Sequence, residues 1–357
     1  MPTRRDFLAA SALVLFRPAE LWAQTKPQVT PPATPQATHL NLAVIDRARI
    51  LAAAARAVAR VPSVNRDLHS DAYLNLTLDI PALAAAALID SASAPRFAEV
   101  ATNHLTAWFT EPATRLPATP TITTFEPLLD LVLLAEVAQA LPLLALDSAL
   151  AAALKLWFRK YLSYLTTART ALLARDARDH HASSWLLQTA AYARLLADET
   201  VLTECHHRFK TSTLRAQINA SGLFPHELTN ENPYRDSLFN LDLLAGACVL
   251  LSTRFESLWK YELQDGPGMR VAIARHAPYI RNRASWAYPA DQSFFNQLPC
   301  RRPALLFAAR AYAEPEYAAL WQTLNPDPTE PAILRTFPIR QPILWLAQPD
   351  ARRPWRD

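Results

Sequence analysis

The chain has 357 residues, of which 51% are hydrophobic, enough to bury a sizeable core in one large domain or two small ones. Its net charge is +4, from 36 basic and 32 acidic residues. That balance argues against a nucleic-acid partner, which leaves a dense basic stripe, and is compatible with an anionic small molecule or glycan. Only four glycines stand against 29 prolines, which argues against a large β-protein or a phosphate-loop enzyme, both of which need glycine for their turns.

Thr3-Arg4-Arg5-Asp6-Phe7-Leu8 reads as a twin-arginine export signal. Leu8 to Phe16 form an apolar stretch too short to span a bilayer, and Leu21-Trp22-Ala23 is a passable cleavage site. Residues 1–23 are therefore expected to be a signal peptide, with the mature protein periplasmic or secreted and without a membrane span. Residues 24–38, rich in proline, threonine and glutamine, read as an extended linker.

From 39 to 345 the pattern is helix, proline-containing loop, helix. Alanine and leucine dominate, and both favour helix. Helical patterns run over 42–61, 81–90, 95–109, 126–141, 146–174, 182–198, 201–219, 237–254, 268–280 and 302–312. Many helices joined by modest loops predict an all-α domain, a toroid or incomplete barrel of antiparallel helical hairpins. The proline-rich stretch 326–343 is expected to be extended and to wrap the domain surface, followed by a tail over 346–357. Cys205, Cys248 and Cys300 have no zinc-like spacing. One disulfide is possible, but they read as buried apolar residues.

Three segments look unlike simple core helix. Trp108-Phe109-Thr110-Glu111-Pro112 ends a helix and leaves Arg115 on the following loop. Arg178-Asp179-His180-His181 opens an alanine-rich helix, with Asp179 a plausible cap. Adjacent histidines are poorly spaced for one metal ion, and only one of them is expected to face inward. The positive end of the helix dipole would favour a neutral, base-competent imidazole. His206-His207 is assigned to a solvated face. The third segment runs from Gly222 to Asp242, a long polar loop leading into a new helix, of the kind that carries function.

At these same places the chain resembles the alginate lyase domain family, over about residues 95–312. Trp108-Phe109, Pro112 and Thr114-Arg115-Leu116-Pro117 resemble the first family stretch, without its asparagines. Asp179-His180-His181 with Trp185 fills the place of an Asn-Asn-His motif followed by tryptophan. Ser221-Gly222, Pro225, Glu227-Leu228 and Ser237-Leu238-Phe239-Asn240-Leu241-Asp242 match the third stretch, and Leu258-Trp259-Lys260-Tyr261, Ala277-Pro278-Tyr279 and Trp286 follow in order.

The resemblance implies a helical toroid that cleaves acidic polysaccharides by β-elimination, without a cofactor or metal. It also implies four catalytic positions: an asparagine, a histidine, an arginine and a tyrosine. Here these hold His180, His181, Asn230 and Asp236, so only the histidine is kept. Three readings follow. In the first, an exported lyase uses His181 as base or charge stabiliser and Tyr234 as acid. His180, Arg235, Arg115 and Asn230 then bind the uronate, Trp185 and Trp108 serve as aromatic platforms, and Asp236 is paired by Arg235. In the second, a catalytically lapsed relative binds acidic glycan without cleaving it. In the third, a glycosidase uses Glu227 and Asp236.

Overall fold

The computed structural model describes residues 40–121 and 124–346. The segments read as signal and linker, and the tail from 347 onward, lie outside the described residues.

Five helices pack consecutively and form the inner ring: Asp71–Ile89, Leu134–Ala140, His180–Leu196, Pro233–Leu251 and Pro303–Tyr312. Helices outside the ring pack against it, among them Arg47–Ala59, Ala94–Leu105, Ser148–Thr167, Glu199–Arg208, Met269–Arg281 and Pro315–Thr323. The protein is thus an all-α toroid, with no strand among the described residues. The sequence explains which helix goes inside. Pro233–Leu251 is apolar or small nearly all round and buries 17 of its 19 residues, whereas Arg47–Ala59 buries only Ile50, Ala54 and Ala57 along one stripe. Gly246 permits a close inner crossing: a Cβ there would lie 2.9 Å from Leu187 and 2.8 Å from Ile339.

Several boundaries differ from the pattern reading. The helix expected over 81–90 begins at Asp71, because Ser70 caps it by accepting the Tyr73 N–H, and Pro81 is accommodated within it. This helix is long and apolar enough to cross a membrane, but 67% of its most apolar window is buried within the fold, as in a core helix. The run 146–174 breaks at Ala168 into Ser148–Thr167 and Arg169–Arg175.

The stretch 326–343 does not simply wrap the surface. Ile333, Phe337, Ile339, Arg340 and Gln341 are buried, and Arg335 donates to the carbonyls of Leu68 and His69. Its short helix Pro331–Arg335 packs against Asp71–Ile89. All three cysteines are buried free thiols, and burial pushes the Cys205 thiol up to about 12.

Candidate active site

Asp179 caps the helix that starts at His180: its Oδ1 accepts the His181 N–H at 3.0 Å and meets His181 Nδ1 at 2.9 Å. The carboxylate therefore does two jobs, satisfying a free helix-end donor and fixing the ring with Nδ1–H toward Asp179. That leaves the lone pair on Nε2, which has no partner and is covered. The covering includes Phe125, edge-on at 4.8 Å, while His180 stacks on the other side at 4.7 Å. Burial works to raise the Asp179 pKa, but the His181 hydrogen bond and the two imidazoles carry it down to about 2.

Contrary to the expectation from adjacency, both histidines are drawn inward, because each has its own carboxylate. Glu227, wholly buried, accepts the His180 backbone N–H through Oε1 and meets His180 Nδ1 through Oε2, both at 2.7 Å. Asn240 donates to Oε1 at 2.8 Å and Asn230 to Oε2 at 3.0 Å. Burial pushes the Glu227 carboxyl up, and His180 opposes that. Burial likewise works to lower His180, but the Glu227 hydrogen bond and the charges of Glu227, Asp236 and Asp179 win and raise it. The helix dipole would favour neutral imidazole, and at His180 the facing carboxylates override it.

The loop that delivers Glu227 is locally specified. Asn219 Oδ1 accepts the Ser221 and Leu223 N–H groups. Gly222 has φ of +82°, and a Cβ there would meet the Val271 carbonyl oxygen at 2.5 Å, so no other residue fits without a shift. Downstream, Asn230 bridges Glu227 to Asp236 Oδ2 at 3.2 Å, and Arg235 donates to Asp236 Oδ1 at 2.8 Å. His180, His181, Asn230 and Asp236, the four positions expected to be catalytic from the resemblance, lie in one linked cluster.

His180, Glu227 and Asp236 offer ligand atoms within 4.8 Å of one another, a metal-like grouping that sequence spacing did not show. Glu227 already accepts four hydrogen bonds, however, so a cation would have to displace donors. The same saturation argues against Glu227 as one half of a glycosidase pair.

Other expected site residues lie elsewhere. Tyr234 is fully buried against Trp286 and Phe295, and its hydroxyl donates to the Tyr279 carbonyl at 3.1 Å. Burial drives its phenol well above the usual range, so it is not placed to serve as an acid. Its position follows from Asp291, which accepts the Tyr234 and Arg235 N–H groups and sets the helix start. Trp108 and Trp185 are core residues rather than platforms: Trp108 packs on Tyr73, and Trp185 donates its indole N–H to the Leu165 carbonyl. Arg115 is exposed and makes no ion pair among the described residues. His206 is not on a solvated face with nothing around it but meets Glu256 at 3.2 Å.

Sequence reading missed Glu227 and Asn240 as positioning residues. Both stand within the matched third stretch, but no local spacing tied either to the histidine pair, because Glu227 lies 47 residues beyond His180. Asp242, in the same stretch, is structural: it binds the buried Arg302 at 3.0 Å and caps Ala304.

The fold is thus a helical toroid, with a carboxylate-oriented histidine pair at an inner-helix start. The alginate lyase family model matches residues 16–286, and the chain belongs to that family. A crystal structure of an alginate lyase from Bacteroides ovatus is similar, with a TM-score of 0.63, 20% identity and 73% of each chain covered; this likeness concerns the fold. No curated protein matches the chain.

Proposed function

We propose that this polysaccharide lyase-like protein cleaves a uronate polymer by β-elimination, with His181 as the base. The observation that carries the reading is the Asp179-oriented imidazole, with an unpartnered Nε2, stacked on a second imidazole held toward its protonated form. His180 Nδ1 is committed to Glu227, which leaves Nε2–H to neutralise the uronate carboxylate, the task of the family's missing asparagine and arginine. Once Phe125 shifts to uncover Nε2, His181 removes the proton on the carbon beside the carboxylate. The electron pair forms the new double bond as the glycosidic C–O bond breaks. The imidazolium so formed returns its proton to the departing oxygen, so that one group acts as base and acid in place of the missing tyrosine.

Export by the twin-arginine route, with residues 1–23 removed and 24–38 as a linker, belongs to the same proposal. Cell fractionation tests it: replacing Arg4 and Arg5 by lysine should retain the protein in the cytoplasm.

A second reading, a lapsed relative that binds acidic glycan without cleaving it, is favoured by the covered Nε2 and by three replaced catalytic positions. Incubation with alginate and with polyglucuronate separates the two. A rise in ultraviolet absorbance from unsaturated ends, abolished by His181→Ala, supports the lyase. Binding without any rise, from acidic to mildly alkaline pH, supports the lapsed relative.

A further inference from the structure

A cavity of about 450 Å³ lies between the Arg47–Ala59 and Asp71–Ile89 helices and the 326–341 stretch. Its size falls within the range of small-molecule sites, about 300–1,000 Å³. Its charged walls are Arg49, Arg56, Arg60, Arg340, Asp79 and Asp327, none of which belongs to the histidine cluster.

The arginines differ in what remains unspent. Arg49 is occupied by Asp46, Gln341 and, at 3.6 Å, Asp327. Arg60 is occupied by Asp79 Oδ1. Arg340 is buried yet has no carboxylate within salt-bridge distance among the described residues. Its Nε donates to the Phe337 carbonyl at 2.9 Å. Among the described residues its two terminal nitrogens donate only to Thr77 Oγ1, at long distances of 3.5 and 3.4 Å, and that hydroxyl donates in turn to the Leu74 carbonyl. The Glu136 carboxylate accepts the Arg340 backbone N–H, and its charge favours the guanidinium from beyond salt-bridge distance. Burial lowers the Arg340 pKa to about 10, so the guanidinium keeps its charge at neutral pH. Arg56 is exposed and makes no ion pair among the described residues. On the acceptor side, Asp79 Oδ2 is buried with no partner.

A buried guanidinium with no carboxylate at salt-bridge distance is costly unless an anion completes it, and a buried carboxylate oxygen is costly unless a donor does. One ligand meets both needs if it carries a carboxylate and a neighbouring hydroxyl. We propose that this cavity is a second glycan site, taking one hexuronate residue with its carboxylate on Arg340 and Arg56 and a ring hydroxyl on Asp79. The site does not depend on the lyase reading, since it needs no turnover.

Titration calorimetry on the full chain carrying His181→Ala, which removes turnover, tests it with D-glucuronate and D-mannuronate as probes. Sulfate, which lacks the hydroxyl donor, and glucose, which lacks the anion, are the controls. Uronate should bind, with both controls weaker by about tenfold or more. Arg56→Gln, an exposed change that leaves the core intact, and Asp79→Asn should each weaken uronate by a similar factor. Absence of uronate binding, equal binding of sulfate, or affinity unchanged in both variants would overturn the site.

Discussion

The Glu227 carboxylate grips His180 twice, at the backbone N–H and at ring Nδ1, each at 2.7 Å. This pairing ties the start of one inner helix to the loop that leads into the next. It also favours the protonated form of His180 over the neutral one. In the proposed reaction His180 must be protonated, so activity should fall as pH rises through its raised pKa. Glu227→Gln removes the anion that raises it. The alkaline limb of the pH–rate profile should then move to lower pH, and an NMR titration of the His180 ring should show the same shift. An unmoved alkaline limb would mean that His180 does not neutralise the substrate.

His181→Ala should lower kcat by about 10²–10⁴-fold with the fold intact, the range for loss of a positioned base. Circular dichroism checks the fold, and absorbance of unsaturated ends reports the rate.

Phe125 lies edge-on against His181, whose Nε2 is covered. Phe125→Ala should open that nitrogen, and carbethoxylation of His181, followed by mass spectrometry, should become faster. An unchanged rate would show that other groups provide the cover.

Asp179 has a folded-state pKa of about 2, below its unfolded value. Its contribution is therefore complete above about pH 4 and is lost as pH falls toward 2, amounting to about 2 kcal/mol at most. Urea unfolding across that window should show a steeper loss for the native chain than for Asp179→Asn, which keeps a capping side chain without the titrating charge.

Asp242 and Arg302 form a fully buried pair at 3.0 Å, and burial pushes Asp242 up to about 6. Asp242→Ala strands the guanidinium and should cost about 3–5 kcal/mol of stability. Chemical denaturation measures it. A loss of activity without a loss of stability would instead assign Asp242 to the chemistry.

Much of the fold was legible in the chain. Alanine- and leucine-rich segments separated by prolines implied helical hairpins, and the ordered motifs implied the family. The helix at 71–89 was read only from residue 81, whereas its Ser70 cap lies about three turns earlier. At the site, Asp179 was readable as a cap and the Arg235–Asp236 pair as a neighbour contact. Tyr234 was not readable. It lies only two residues before Asp236 on the same helix, but Asp291, more than fifty residues away, anchors that helix start with the phenol in the core.

What the sequence determined alone is the helical alphabet, the approximate positions of its breaks and the retention of His181, since local propensity and periodicity act over a few turns. Only the tertiary structure decided which carboxylate holds each imidazole, which tryptophans are core, and which buried arginine has no carboxylate at salt-bridge distance among the described residues. Those properties depend on burial and on carboxylates delivered from distant segments, such as Glu227, 47 residues beyond His180.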